Sequence, residues 1–185
     1  MTGKTHKSAV VIVPPKELWE PIQTIRRIHD RQVRRWMPHI TLLYPFVPAD
    51  RFDRITELLA QTCRESEPFE VTLSGFRHFE HRPGRYTLWL TPEPREPLVR
   101  LHEALWKVIP ECDDVRRHPG GFTPHLSVGQ AHGHGRLREL ERSLQATWQP
   151  SSFTVTGIAL IRRDDPPDDV FHIAHILPLG RTAAP

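Results

Sequence analysis

The chain has 185 residues, enough for one sizeable domain or for two small halves sharing a core. With 38% hydrophobic and 25% charged residues its composition is that of a globular protein, and no apolar run approaches the roughly 20 residues of a membrane span. A formal charge of +3, from 25 basic and 22 acidic side chains, permits an anionic ligand without demanding one.

The first element is a strand, Ser8 to Val13, rich in β-branched residues. Its short apolar run has no small-residue cleavage site behind it, and Cys63 and Cys112 lack CxxC spacing, so the expectation is a cytoplasmic protein with two reduced thiols. Lys16 to Asp30 repeats Leu18, Ile22, Ile25 and Ile28 at helical spacing. Pro38-His39-Ile40-Thr41-Leu42 reads as a strand, and Asp50 to Cys63 as a helix with Asp50 as its N-cap. Phe69 to Gly75 and Arg85 to Thr91 are strands joined by a Gly/Pro/Arg-rich connection, the pattern of a hairpin. Pro94 to Ile109 is a helix carrying Leu98, Leu101, Leu105 and Val108. After the polar insertion Glu111 to Gly121, with Arg116, Arg117 and His118, come the strand Pro124 to Val128 and the helix Arg136 to Trp148. The strands Phe153 to Thr156 and Val170 to Leu177 complete the series, the second after a turn-rich Asp/Pro run. Residues 179–185 read as a flexible tail.

Two long segments of this series match. Pro38 to the Phe69-Glu70-Val71-Thr72 segment is 31 residues, and Pro124 to Phe153-Thr154-Val155-Thr156 is 29. Each half reads strand, helix, strand, helix, strand, over about 8–76 and 85–177, within one two-lobed domain of residues 1–178. The hairpin favours an α+β class with mostly antiparallel sheets, helices outside and a central cleft. A pseudo-twofold relation would bring equivalent strands together there.

On a strand, residues i and i+2 share a face. His39 therefore points with Thr41, and His125 with Ser127, while Ile40, Leu42, Leu126 and Val128 face the core. Two imidazoles and two hydroxyls suit phosphodiester chemistry. One imidazole takes a proton from the attacking oxygen, the other gives one to the leaving oxygen, and the hydroxyls donate to the phosphate. This needs no metal or other cofactor. His132, His134, His172 and His175 raise a zinc site, but His172 and His175 fall an odd number of residues apart and no Cys or acidic ligand completes a set.

The two segments, Pro-His-Ile-Thr-Leu and Pro-His-Leu-Ser-Val, resemble the paired His-x-Thr/Ser motifs of the two-histidine (2H) phosphoesterase superfamily. The nearest branch is that of 2′-5′ RNA ligases and RNA 2′,3′-cyclic phosphodiesterases. The resemblance implies a pseudo-symmetric fold and metal-independent hydrolysis of 2′,3′-cyclic phosphates, or of 2′-5′ or cyclic oligonucleotide linkages, on RNA ends or nucleotides. It places His39, Thr41, His125 and Ser127 in the catalytic set, with His125 activating water and His39 protonating the leaving ribose oxygen. Members of that branch often carry an arginine five residues after the second motif histidine, where this chain has Gln130; Arg136 is the candidate substitute. Tyr44 and Phe46, just past the first motif, are candidates to stack on a base, and the aromatic and basic stretch Phe76 to Arg82 is either a cleft rim or a solvated connection. The expected partner is a nucleotide or RNA bound by a monomer. The alternative is a non-catalytic nucleotide or RNA binder of the same fold.

Overall fold

The computed structural model describes residues 3–117 and 120–181, so His118 of the insertion and residues 182–185 of the tail lie outside the described residues. The elements run β1 (Ser8–Ile12), α1 (Trp19–His29), β2 (Ile40–Leu43), α2 (Phe52–Arg64), β3 (Phe69–Arg82), β4 (Arg85–Glu93) and α3 (Arg95–Val108). They continue with β5 (Leu126–His132), α4 (His134–Thr147), β6 (Ser151–Val155), β7 (Gly157–Arg162) and β8 (His172–Pro178). They form two antiparallel four-stranded sheets, in the orders β2-β1-β7-β8 and β5-β4-β3-β6. The class is α+β, as expected.

The halves exchange strands. β3 leaves the first half to pair with β4, and β7 leaves the second half to pair with β1. The repeated Phe-x-Val segments meet in the middle of this exchange, with Phe69 opposite Val155 and Val71 opposite Phe153. The equivalent strands that pair with each other are therefore β3 and β6. The motif strands β2 and β5 instead form edges of separate sheets, and they touch across the gap between them.

Three local expectations change. β3 runs on through the Phe76 to Arg82 stretch to a tight turn at Gly84, whose positive φ of 73° suits glycine. That stretch is strand, not connection. β7 is an added strand, and its Ile158, Ala159, Leu160 and Ile161 are buried on both faces, which leaves no polar alternation to reveal it. Asp50 lies inside a short 3-10 turn, Ala49–Arg51, and makes no side-chain cap for α2. The chain also stays packed beyond Pro178: Leu179 is buried, and the Gly180 N–H donates to the carbonyls of Cys63 and Ser66.

The two faces of β1 serve different clusters. Val10 and Ile12 join the main core, which also holds Leu42, Leu59, Leu88, Leu98, Leu126 and Val128. Ala9 and Val11 face the other way, with Ala159, Ile161 and Phe171, under a cover of Trp36, Met37 and Tyr44. Arg34 and Arg35 both bind Asp169 at 2.6 Å, tying the loop before β2 to the segment before β8.

Each half also sends its first helix to the other half's motif strand. α1 lies so close to β5 that a Cβ on Gly129 would sit 2.6 Å from the His29 Cβ. On α3, His102 is fully buried and its Nδ1–H donates to the Leu42 carbonyl of β2 at 2.8 Å. Among the described residues no helix is long and apolar enough to cross a membrane.

Candidate active site

Both motif histidines sit one residue before their strands begin, directly behind a proline. Proline fixes its own φ and holds the residue before it extended. In each segment the carbonyl two residues back accepts the histidine Nδ1–H: Met37 for His39 at 2.7 Å and Thr123 for His125 at 2.8 Å. A carbonyl only accepts, so Nδ1 carries the hydrogen in both rings and Nε2 is the nitrogen that gains and loses a proton. One short Pro-His sequence thus sets the same tautomer twice.

Alternation places the hydroxyls as expected. Thr41 is half-buried between buried Ile40 and Leu42, and Ser127 between buried Leu126 and Val128. In register, Thr41 lies opposite Val11 and Ser127 opposite Trp89. Each hydroxyl is therefore on the face of its sheet that turns away from the main core.

The surroundings of the two rings differ. His39 stacks on Trp36, 4.7 Å between centroids and 18° between planes, and Trp36 in turn stacks on Phe171 and meets Tyr44 edge-on. His125 is met edge-on by Phe79 at 4.9 Å and by Trp89 at 5.8 Å, and those two rings stack on each other. Burial pushes the His39 pKa down to about 4. The Met37 carbonyl opposes this, the Arg26 guanidinium and His125 add to it, and the Asp30 carboxylate opposes it weakly. The strands that carry the two imidazoles, β2 and β5, touch across the gap between the sheets.

Arg26 and Asp30 form a buried ion pair at 2.9 Å beneath this site. Asp30 also accepts from the Gln130 amide at 3.1 Å, and Gln130 accepts from the Arg31 backbone N–H at 3.0 Å. Gln130 therefore fastens β5 to the end of α1. Tyr44 remains near the site through its contact with Trp36, and its hydroxyl donates to the His6 carbonyl at 3.4 Å. Phe46 does not belong to the site: it is fully buried in the main core against Phe52, because its backbone pairs with Thr5 and turns the ring inward. Arg136 lies on an exposed turn of α4 and pairs with Glu139 at 2.8 Å. His132 ends β5 and His134 begins α4, so the His-Gly-His-Gly run is the tight turn between them. His175 packs edge-on against Phe52.

Trp36, Phe79, Trp89 and the Arg26–Asp30 pair were not singled out as site residues by the sequence. Only Phe79 carried a signal, through its place in the aromatic and basic stretch. Trp89 meets His125 from 36 positions away in the chain, a relation that no local pattern encodes, and Trp36, three residues before His39, sits in a loop that offers no periodicity to read.

The sequence model of the 2′-5′ RNA ligase superfamily matches residues 14–167, which span both motifs. The chain belongs to that superfamily. Within it, a provisionally named phosphoesterase of Oceanobacillus iheyensis is 27% identical over 140 residues, covering 75% of this chain and 79% of the relative. Another from Geobacillus kaustophilus is 29% identical over 125 residues, covering 67% and 69%. The fold matches that of Escherichia coli LigT in apo form, with a TM-score of 0.62 at 17% identity over 97% of this chain and 100% of LigT. TT0787 of Thermus thermophilus matches with a TM-score of 0.62 at 22% identity, over 95% and 100% of the two chains. LigT has also been solved with 3′-AMP, and that structure matches with a TM-score of 0.61 at 17% identity over 97% and 100%. Family and fold together place the chain among the 2H phosphoesterases, as the doubled motif implied.

Proposed function

We propose that the protein is a phosphodiesterase that hydrolyses 2′,3′-cyclic phosphates on RNA ends or nucleotides, with His39 and His125 as its proton-transfer pair. Cleavage of 2′-5′ or cyclic oligonucleotide linkages is the same chemistry on a different ester. The observation that carries this reading is the doubled Nδ1–H to carbonyl bond, which leaves Nε2 as the titrating atom of both rings. That LigT has been solved in complex with 3′-AMP supports a nucleotide as ligand. We take the working unit to be a cytoplasmic monomer, formed by residues 1–178 as a single two-lobed domain.

In this reaction one Nε2 removes a proton from water as its oxygen attacks phosphorus. The bond from phosphorus to one ribose oxygen breaks, and that oxygen receives the proton of the other Nε2–H. The product is a phosphomonoester, and the two imidazoles exchange protons with solvent to reset. Thr41 and Ser127 donate to the non-bridging oxygens, where charge gathers in the transition state. Burial favours the neutral form of His39 and pushes its pKa down to about 4. A base must be empty and an acid loaded, so we assign His39 as base and His125 as acid, the reverse of the roles implied by the resemblance.

The test compares a nucleoside 2′,3′-cyclic phosphate with a 4-nitrophenyl phosphodiester of the same nucleoside, whose leaving group needs no proton. Both are assayed with EDTA present. His125→Ala should lose far less activity on the nitrophenyl ester than on the cyclic phosphate, and His39→Ala should lose the same on both. The opposite pattern reverses the roles. Tight binding of the cyclic phosphate by the wild type without turnover would establish the non-catalytic binder instead, and sensitivity to EDTA would remove the metal-free mechanism.

A further inference from the structure

A pocket of about 210 Å³ opens at the turn end of the second sheet, lined among others by Arg31, His81, Arg82, Arg85, Thr87 and Gln130. Its three arginines come from two places in the chain. Arg31 follows α1, while Arg82 and Arg85 flank the β3–β4 turn and lie directly opposite each other in register. Like charges opposed across a strand pair destabilise it. Elsewhere on the surface Arg27, Arg117 and Arg136 hold carboxylates, whereas among the described residues no ion pair involves Arg31, Arg82 or Arg85.

The acids nearby are already engaged. Asp30 is bound by Arg26 and by the Gln130 amide, and Glu80 accepts from the Gly84 N–H. Gln130 also holds Arg31 in place, through its backbone N–H at 3.0 Å and its Nε at 3.4 Å. The pocket is a concentration of positive charge with no anion of its own.

It is joined to the catalytic site through the sheet. His81 is two residues from Phe79 on β3, Thr87 is two residues from Trp89 on β4, and Phe79 and Trp89 are the rings that meet His125. His81 Nε2 and the Thr87 hydroxyl are hydrogen-bonded at 2.9 Å, so both face the same side. On the opposite face of β3, His78 binds Glu141 of α4. The pocket therefore lies next along the sheet from Phe79 and Trp89, the two rings that meet His125, one two-residue step from each.

We propose that this pocket binds a second phosphate of the substrate, with Arg31, Arg82 and Arg85 as its ligands. Arginine suits that task because its planar fork grips a phosphate through two bonds at once. The preferred substrate is then a cyclic phosphate at the end of an oligonucleotide, whose neighbouring phosphodiester fills the pocket. The proposal rests on the cyclic-phosphate reading above for the identity of the first phosphate.

Three substrates separate the possibilities: a nucleoside 2′,3′-cyclic phosphate with a free 5′-hydroxyl, the same compound with a 5′-phosphate, and a dinucleotide ending in the cyclic phosphate. The Arg82→Gln/Arg85→Gln double variant changes only exposed side chains. It should lower kcat/KM by about 10-fold or more on the dinucleotide and leave the first substrate unchanged. A loss on the 5′-phosphorylated nucleotide alone would keep the site and assign it to the 5′-phosphate. Added KCl should slow the wild type on the dinucleotide more steeply than it slows the variant. Arg100→Gln, an exposed position on α3, should change none of the three. Equal loss on all three substrates, or none on any, would overturn the proposal. If the wild type turns over none of them, the cyclic-phosphate reading fails and the pocket is tested by calorimetry with a 3′-phosphorylated dinucleotide and a nucleoside 3′-phosphate. There, a Kd for the dinucleotide weakened about 10-fold in the double variant, with no change for the nucleoside, upholds the second site; an unchanged Kd removes it.

Discussion

His39 lies face to face with Trp36 in the small cluster behind the first sheet, whereas His125 is met edge-on by Phe79 and Trp89 on the second. The backbone around them is alike: a proline in front, an Nδ1–H bonded two residues back, a hydroxyl two residues on. The supports differ as well. β2 is held by His102 of α3, and β5 by the Gln130–Asp30 bond and the close approach of α1 at Gly129. A duplicated motif thus keeps one tautomer in both copies while the surroundings of the two rings differ. Burial lowers the His39 pKa without altering which nitrogen titrates.

The largest effects should come from the two imidazoles themselves. His39→Ala and His125→Ala should each lower kcat on a cyclic phosphate by about 10²- to 10⁴-fold. The double variant should fall little further, since acid and base act as a unit. Full additivity in steady-state kinetics would mean that the two rings do not serve one step. Thr41→Val and Ser127→Ala come next, at about 10²-fold each. A loss confined to one of them would show that only one half grips the phosphate.

Acidity separates the two sites more finely. With His39 as base, kcat/KM should rise with pH through about 4, and Trp36→Ala, which opens the ring to water, should move that limb upward. Phe79→Ala should leave the limb in place. Folding carries the same signature: the unfolded chain protonates histidine near pH 6.5 while folded His39 resists the proton. Its contribution to stability is therefore full above about pH 6.5 and shrinks as the pH falls toward 4. Denaturant titrations of wild type and His39→Gln should converge over that window, with the variant showing the flatter profile.

Smaller effects test the supports. Gly129→Ala should cost about 1–3 kcal/mol in denaturant unfolding, because the added Cβ meets α1. His102→Ala should cost a similar 1–3 kcal/mol by leaving the buried Leu42 carbonyl unpaired, and His102→Gln, which can still donate, should recover part of it. Arg136→Ala, on its exposed pair with Glu139, should stay within about 0.5 kcal/mol of wild type.

Much of the fold was legible in local pattern. The four helices announce themselves by apolar residues at helical spacing, and alternation around His39 and His125 is enough to put Thr41 and Ser127 on the same faces. The repeat was legible because it lies in the order of residues along the chain. Gln130 marks the limit of such reading: its place after His125 suggested a ligand contact, and the structure spends its amide on Asp30 and Arg31, which come 100 and 99 positions earlier.

The sequence by itself therefore determined the paired Pro-His-x-hydroxyl segments, the helices and the antiparallel α+β class, since each depends on neighbours within a few residues. Only the tertiary structure decided that the Phe-x-Val strands β3 and β6 pair with each other while β2 and β5 become edges. It alone placed Phe46 in the core, Trp36 against His39, and three arginines around one pocket. Those outcomes follow from burial and strand register in the folded chain, and it is burial of this kind that lowers the His39 pKa.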